Sequence, residues 1–140
     1  MNSTAEESLG AAPVADVFIP NRDWWERLFS TIDSRNAAQF VESLTPDAQF
    51  RFANAPVTIG RQDISTAVSA FFGAITSSKH RLLDMWNANE SVGCEGEVTY
   101  TRLDGSVVSF PFANVFKLRG EKIASYHIYI DNSSLFAASV

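Results

Sequence analysis

The chain has only two histidines, and one of them, His80, lies in the stretch SSKHRLLDMW, Ser77 to Trp86. Polar and apolar residues alternate there. Period two places His80, Leu82, Asp84 and Trp86 on one strand face, and Lys79, Arg81, Leu83 and Met85 on the other. A histidine that shares a face with leucine and tryptophan is carried into apolar surroundings. Imidazole changes charge near neutral pH, and as a general acid or base it is typically worth roughly 10²–10⁴-fold in rate. The plainer alternative is a core histidine bonded to a carboxylate or to backbone. Asp33 is the carboxylate that could orient the ring. Its own alternative is local, as a cap on the helix that follows it.

Three further polar groups belong with this pair. Tyr100 and Arg102 alternate with Val98 and share its face, so the Tyr100 hydroxyl points inward as a proton donor. Otherwise its ring packs and its hydroxyl finds a backbone partner. Asn114 is in phase with Phe110, Phe112 and Phe116, one amide on a phenylalanine face. A buried amide without partners costs roughly 1–3 kcal/mol, so polarising a ligand is a reasonable use for it. On the last strand Tyr126, Ile128 and Ile130 form one face, and His127, Tyr129 and Asp131 the other. His127 is therefore expected outside, structural or interfacial. The expected catalytic set is His80, Asp33 and Tyr100. Asn114, Phe52, Phe72, Trp86, Phe112, Phe116, Tyr126 and Ile128 are expected to hold a small apolar molecule. The sequence has no phosphate-cradling glycine loop, nucleophile elbow or metal-spaced cluster, so neither a cofactor nor a metal is expected.

The elements that must position these residues are legible in the pattern. Residues 1–18 are small and polar and read as a flexible tail; residues 19–140 read as one domain. A helix opens at Pro20–Asp23, capped by Asn21 or Asp23, and carries Trp24, Trp25, Leu28, Phe29 and Ile32 at helical spacing. A break at Asp33–Asn36 leads to a second helix with Phe40, Val41 and Leu44, expected to stop at Thr45-Pro46. Then come a strand bearing Phe50 and Phe52, a turn region (residues 55–60) and a third helix with Ile64, Val68, Phe71, Phe72 and Ile75. Four strand signals close the chain: 79–88, 91–102, 107–118 and 122–130, with tight turns at Asp104-Gly105 and Gly120. Asp131 reads as the cap of a last turn spanning residues 133–138. Three helices in the N-terminal half, wrapped by a mixed and mainly antiparallel curved sheet, make an α+β cone whose mouth is a natural small-molecule pocket.

The composition agrees. The chain has 140 residues, 46% of them hydrophobic, with eleven phenylalanines and a net charge of −5. That supplies a core and a pocket, and no basic face for nucleic acid. No stretch approaches the ~20 apolar residues of a membrane span. One cysteine, Cys94, forms no intrachain disulfide. A cytoplasmic protein is expected.

With the pieces Ile32–Asn36, LTPDAQFRF, IGRQDISTAVSAFF, KHRLLDMW and NVFKLRGEKIASYHIYID in view, the chain resembles the SnoaL-like branch of the nuclear transport factor 2-like superfamily. The resemblance runs from about Arg22 to Phe136. It implies the cone fold and, through the outer sheet face, a homodimer. The base aspartate of ketosteroid isomerase would fall at Phe52, its tyrosine near Leu28 and its second aspartate near Asn114, so that mechanism is not implied. The last-strand aspartate of limonene epoxide hydrolase would fall at Ile128, and its other partners near Tyr100 and Arg102, with no carboxylate at these places. The scytalone and bile-acid dehydratases match better: their aspartate at the end of helix one and their histidine after helix three correspond to Asp33 and His80. Their helix-one tyrosines are Leu28 and Ile32 here, which leaves Tyr100 as the candidate donor. The resemblance thus implies a dehydratase, isomerase or cyclase without cofactor. The competing expectation is a domain of the same fold that binds an apolar ligand, or only dimerises, without chemistry.

Overall fold

The computed structural model describes residues 18–136. The tail expected over residues 1–18 therefore lies almost wholly outside the described residues, as does the end of the last turn. Helix α1 (Arg22–Asp33) begins where the Asn21 side chain accepts the Trp24 N–H at 2.9 Å. That settles the cap on Asn21. Trp25, Leu28, Phe29 and Ile32 face inward from it. The short helix α2 (Ala37–Val41) is capped in the same way by Asn36, which accepts from Gln39 N–H at 3.0 Å.

Helix α2 ends sooner than expected. Leu44 opens strand β1 (Leu44–Phe52) and is not on a helix. Pro46 drives Thr45 to an extended conformation, and the Ser43 carbonyl accepts the Ile123 N–H at 2.9 Å, which draws the chain into the sheet. The turn region beyond β1 holds a two-residue strand, β2 (Thr58–Ile59), paired with Gln49 and Phe50. Helix α3 (Arg61–Gly73) buries Ile64, Val68 and Phe72. Ile75, expected on that helix, instead starts β3 (Ile75–Asn87). Strands β4 (Val92–Arg102), β5 (Val107–Arg119) and β6 (Lys122–Ile130) come within a residue or so of expectation. Gly105 and Gly120, at φ of 89° and 62°, occupy the left-handed region that their turns require.

The sheet order is β2-β1-β6-β5-β4-β3, antiparallel throughout except that β1 runs parallel to β6. The helices cover one face and close a cone, the α+β architecture expected. Its closed end is a stack of rings. Trp25 lies 5.2 Å from Phe116 at 22°, and Phe116 lies 4.3 Å from Tyr126. Phe116, expected in the pocket wall, is wholly buried in this stack and does not line the cavity.

Trp86 is also displaced from its expected place. The ladder between β3 and β4 shifts register between Leu82 and Asp84. Ser78, His80 and Leu82 face inward, but beyond the shift Met85 takes the inner side opposite Cys94, and Trp86 turns out opposite Gly93. Its ring covers Gly93 where a Cβ would stand, and it remains 40% exposed. The cause is a β-bulge, which inserts one unpaired residue and reverses the parity of the rest of the strand. Gly96 permits it, since a Cβ there would fall on the Arg81 carbonyl.

Candidate active site

Asp33 ends α1 beside the start of β3. It does not cap α2, because Asn36 does. Its carboxylate is turned to the strand. Oδ2 accepts the backbone N–H of His80 at 2.9 Å, while Oδ1 accepts the Ser78 hydroxyl at 3.0 Å and lies 2.6 Å from His80 Nδ1. An ionised carboxylate only accepts hydrogen bonds, so the proton of this contact sits on Nδ1. That leaves Nε2 as the free nitrogen, with no hydrogen-bond partner among the described residues. The ring is held between Phe29, 4.8 Å away, and the edge of Phe112, at 5.3 Å. The His80 side chain is 11% exposed and Asp33 22%.

His80 faces a cavity of about 190 Å³ between the sheet and α3. Phe50, Phe52, Phe72, Phe112 and Ile128 supply much of its wall, and the exposed residues Ala55, Pro56 and Ala67 mark its mouth. Tyr100, Asn114 and Tyr126 line it from three successive strands. Burial pushes the Tyr100 phenol well up from its ordinary value, and the Asp33 charge adds to the shift. The Tyr126 phenol is also raised well above its ordinary value, first by burial, then by Cys94, Tyr100 and Asp33. Both remain protonated donors at neutral pH. Asn114 is 2% exposed, and its Oδ1 has no hydrogen-bond partner. An orphan of that kind costs roughly 1–3 kcal/mol. Cys94 is pushed up to about 12 by burial, against a bond from the Asn114 backbone that lowers it, so it stays an inert thiol.

The structure thus brings together His80, Asp33, Tyr100, Asn114, Phe52, Phe72, Phe112, Tyr126 and Ile128 around or directly behind one cavity, and leaves out Trp86 and Phe116. Arg102 is not part of the cavity: its guanidinium holds the C-terminal turn through the carbonyls of Leu135 (2.8 Å) and Ser134 (3.1 Å). Two supporting residues escaped the sequence reading. Ser78 is the third group on the Asp33 carboxylate, and its signal was its spacing of two from His80. Arg35, at φ 60°, donates to the carbonyls of Phe72 (3.0 Å) and Ile75 (3.3 Å), tying the end of α1 to the start of β3. No cluster of three His, Cys, Asp or Glu side chains able to hold a metal occurs among the described residues. None of their helices is long and apolar enough to cross a membrane.

A cone of this topology with a cavity at its mouth defines a nuclear transport factor 2-like domain. Residues 25–126 match the family model described as SnoaL-like domain, and the chain belongs to that family. Solved structures agree on the fold. A protein from Jannaschia sp. CCS1 described, without an established activity, as a SnoaL-like polyketide cyclase superposes with a TM-score of 0.70 at 14% identity, over 81% of this chain and 86% of that one. TerC, co-crystallised with polyporic acid, gives 0.71 at 12% identity, over 81% and 92%. A protein of ketosteroid isomerase-like fold from Catenulispora acidiphila, in complex with trimethylamine, gives 0.71 at 17% identity, over 79% and 86%. The fold is one that polyketide cyclases and isomerases use. Curated protein sequences returned no match.

Proposed function

We propose that this protein is a cofactor-independent enzyme that moves a proton on a hydrophobic cyclic substrate, by dehydration, isomerisation or cyclisation. The observation that carries it is the 2.6 Å contact of His80 Nδ1 with Asp33, which leaves Nε2 free beside an apolar cavity. Asp33 fixes the tautomer and stabilises the imidazolium as it forms, as the third group of a catalytic triad does. Nε2 takes a proton from the substrate carbon. Charge then develops on a substrate oxygen, where the Tyr100 phenol or the Asn114 amide donates to it. The imidazolium returns the proton: to a departing hydroxyl in dehydration, to another carbon in isomerisation, to the new alkoxide in ring closure. The description of one structural neighbour as a SnoaL-like polyketide cyclase is in keeping with chemistry of this class.

Long-range ¹H–¹⁵N NMR of the neutral His80 ring tests the pair. The Nδ1–H tautomer is expected in the wild type, and a mixture in Asp33→Asn. An unchanged ring in the variant would remove the carboxylate's role and favour ligand binding without chemistry. Screening cyclic hydroxyketones for loss of water, with His80→Gln as the control, then identifies the reaction.

A further inference from the structure

Ser78 is a polar residue in an apolar place. It is 6% exposed on the inner row of β3, where Ile75, Leu82 and Met85 are the hydrocarbon neighbours. Packing alone favours a β-branched apolar side chain at such a position, and a buried hydroxyl costs free energy unless it is bonded. The one hydrogen bond of this hydroxyl among the described residues goes to Asp33 Oδ1, at 3.0 Å.

Asp33 is a group that needs donors. It is the last residue of α1, and the last turn of that helix holds no basic residue. The carbonyl end of a helix carries partial negative charge, so its own helix repels the carboxylate. No lysine or arginine forms an ion pair with it among the described residues. Two adjacent inner positions of β3 hold it instead. The His80 N–H is on Oδ2, and the Ser78 hydroxyl shares Oδ1 with His80 Nδ1. A spacing of two puts both side chains on one side of the strand. The backbone bond alone leaves the carboxylate free to turn about its Cβ–Cγ bond. A second donor on Oδ1 fixes the oxygen that the imidazole must meet.

We infer that Ser78 is a positioning residue for His80: by holding Asp33 Oδ1 it keeps the carboxylate on Nδ1, and so keeps Nε2 free toward the cavity. The inference rests on reading Asp33 and His80 as the acid–base pair and adds a third member to it. Ser78 borders the cavity, but its proton is committed to Asp33, so it acts through that carboxylate and touches no reacting atom.

The test is the exchange of the His80 Nδ1 proton with water, followed by ¹H–¹⁵N NMR of the full chain without ligand. That proton exchanges when its contact with Asp33 opens. A hydrogen bond to a charged group is worth about tenfold to a hundredfold in such an equilibrium. Ser78→Ala is therefore expected to speed the exchange by about that factor. Ser78→Thr restores the hydroxyl, with the cavity beside its extra methyl group, and is expected to stay within about threefold of the wild type. The amide of Val98, paired with His80 across β3 and β4, is the control, because a loss of packing alone speeds both protons alike. Equal rates in the wild type and Ser78→Ala, an Nδ1 proton sped only as much as the Val98 amide, or a threonine variant as fast as the alanine one, overturns the role. Should Ser78→Ala not fold, the Ser78 hydroxyl proton of the wild type decides: a resonance protected from water is expected, and free exchange overturns the assignment. Asp33→Asn separates this inference from the pair on which it rests. If it speeds the Nδ1 proton and Ser78→Ala does not, the pair stands and Ser78 has no part in it. If His80→Gln leaves turnover intact, the catalytic reading falls and the hold of Ser78 on Asp33 is still read from exchange.

Discussion

His80 and His127 are the chain's two histidines, and they occupy opposite faces of one sheet. His80 faces the cavity, with Asp33 on Nδ1 and phenylalanines around the ring. His127 faces out, stacked on Tyr129 at 3.9 Å and placed opposite Arg51 in the β1–β6 ladder. Partial burial lowers its pKa, and the Arg51 charge lowers it further. One imidazole thus has a fixed proton and a free nitrogen over an apolar space. The other has a ring and a cation for company. Strand parity made that division, and the neighbours on each face set what either ring can do.

The contrast is sharpest in rate. On any substrate that the protein turns over, His80→Gln is expected to lower kcat by roughly 10²–10⁴-fold, and His127→Gln by less than about twofold. Comparable losses from the two would break the assignment. Stability comes next. Asp33→Asn weakens three bonds that meet on one carboxylate and is expected to cost about 1.5–3 kcal/mol in urea unfolding. Tyr129→Ala, at a 52% exposed outer position, should cost within about 0.5 kcal/mol. Glycines extend the comparison. Gly96→Ala drives its Cβ onto the Arg81 carbonyl, and the expected cost is about 1–3 kcal/mol. Gly93→Ala meets only the Trp86 ring, which is exposed and can swing away, so its unfolding midpoint should move less.

The smallest effect is one of pH. The folded pKa of His127 lies below the ordinary 6.5, so just under that value the folded chain binds fewer protons than the unfolded one. Stability from this group is present above pH 6.5 and is lost as pH falls through the folded value. Urea midpoints measured between about pH 5 and 7 should show the wild type losing ground to His127→Gln as acidity rises. A difference that stays flat, or grows the other way, would show that Arg51 and burial do not act on this ring.

Much of this was legible because it is periodic. Strands β4 to β6 alternate plainly, which put Tyr100, Asn114, Tyr126 and Ile128 inside and His127 outside. The Asp33–His80 pair was legible through the family resemblance. Its local rival, capping, could be settled only by seeing Asn36 take the cap. The features that stayed hidden depend on partners distant in sequence. Leu44 leaves its helix because Ile123, far along the chain, is there to pair with it. Phe116 is in phase with the cavity-lining residues, yet its place along the cone lies past the cavity's end, against Trp25. Trp86 was misplaced because a bulge is a property of two strands, and nothing in SSKHRLLDMW alone announces it.

That bulge acts on β3 as a frameshift acts on a message. Leu83 is one letter too many for the ladder opposite, and every residue after it is read in the other frame. The inner row is Ser78, His80, Leu82 and then Met85, a spacing of two, two and three. Deleting Leu83 would close the spacing to two throughout and leave every remaining side chain on its present face. The length of this strand is therefore a looser constraint than its order, and a related chain one residue shorter at this point would carry the same inner row in plain alternation.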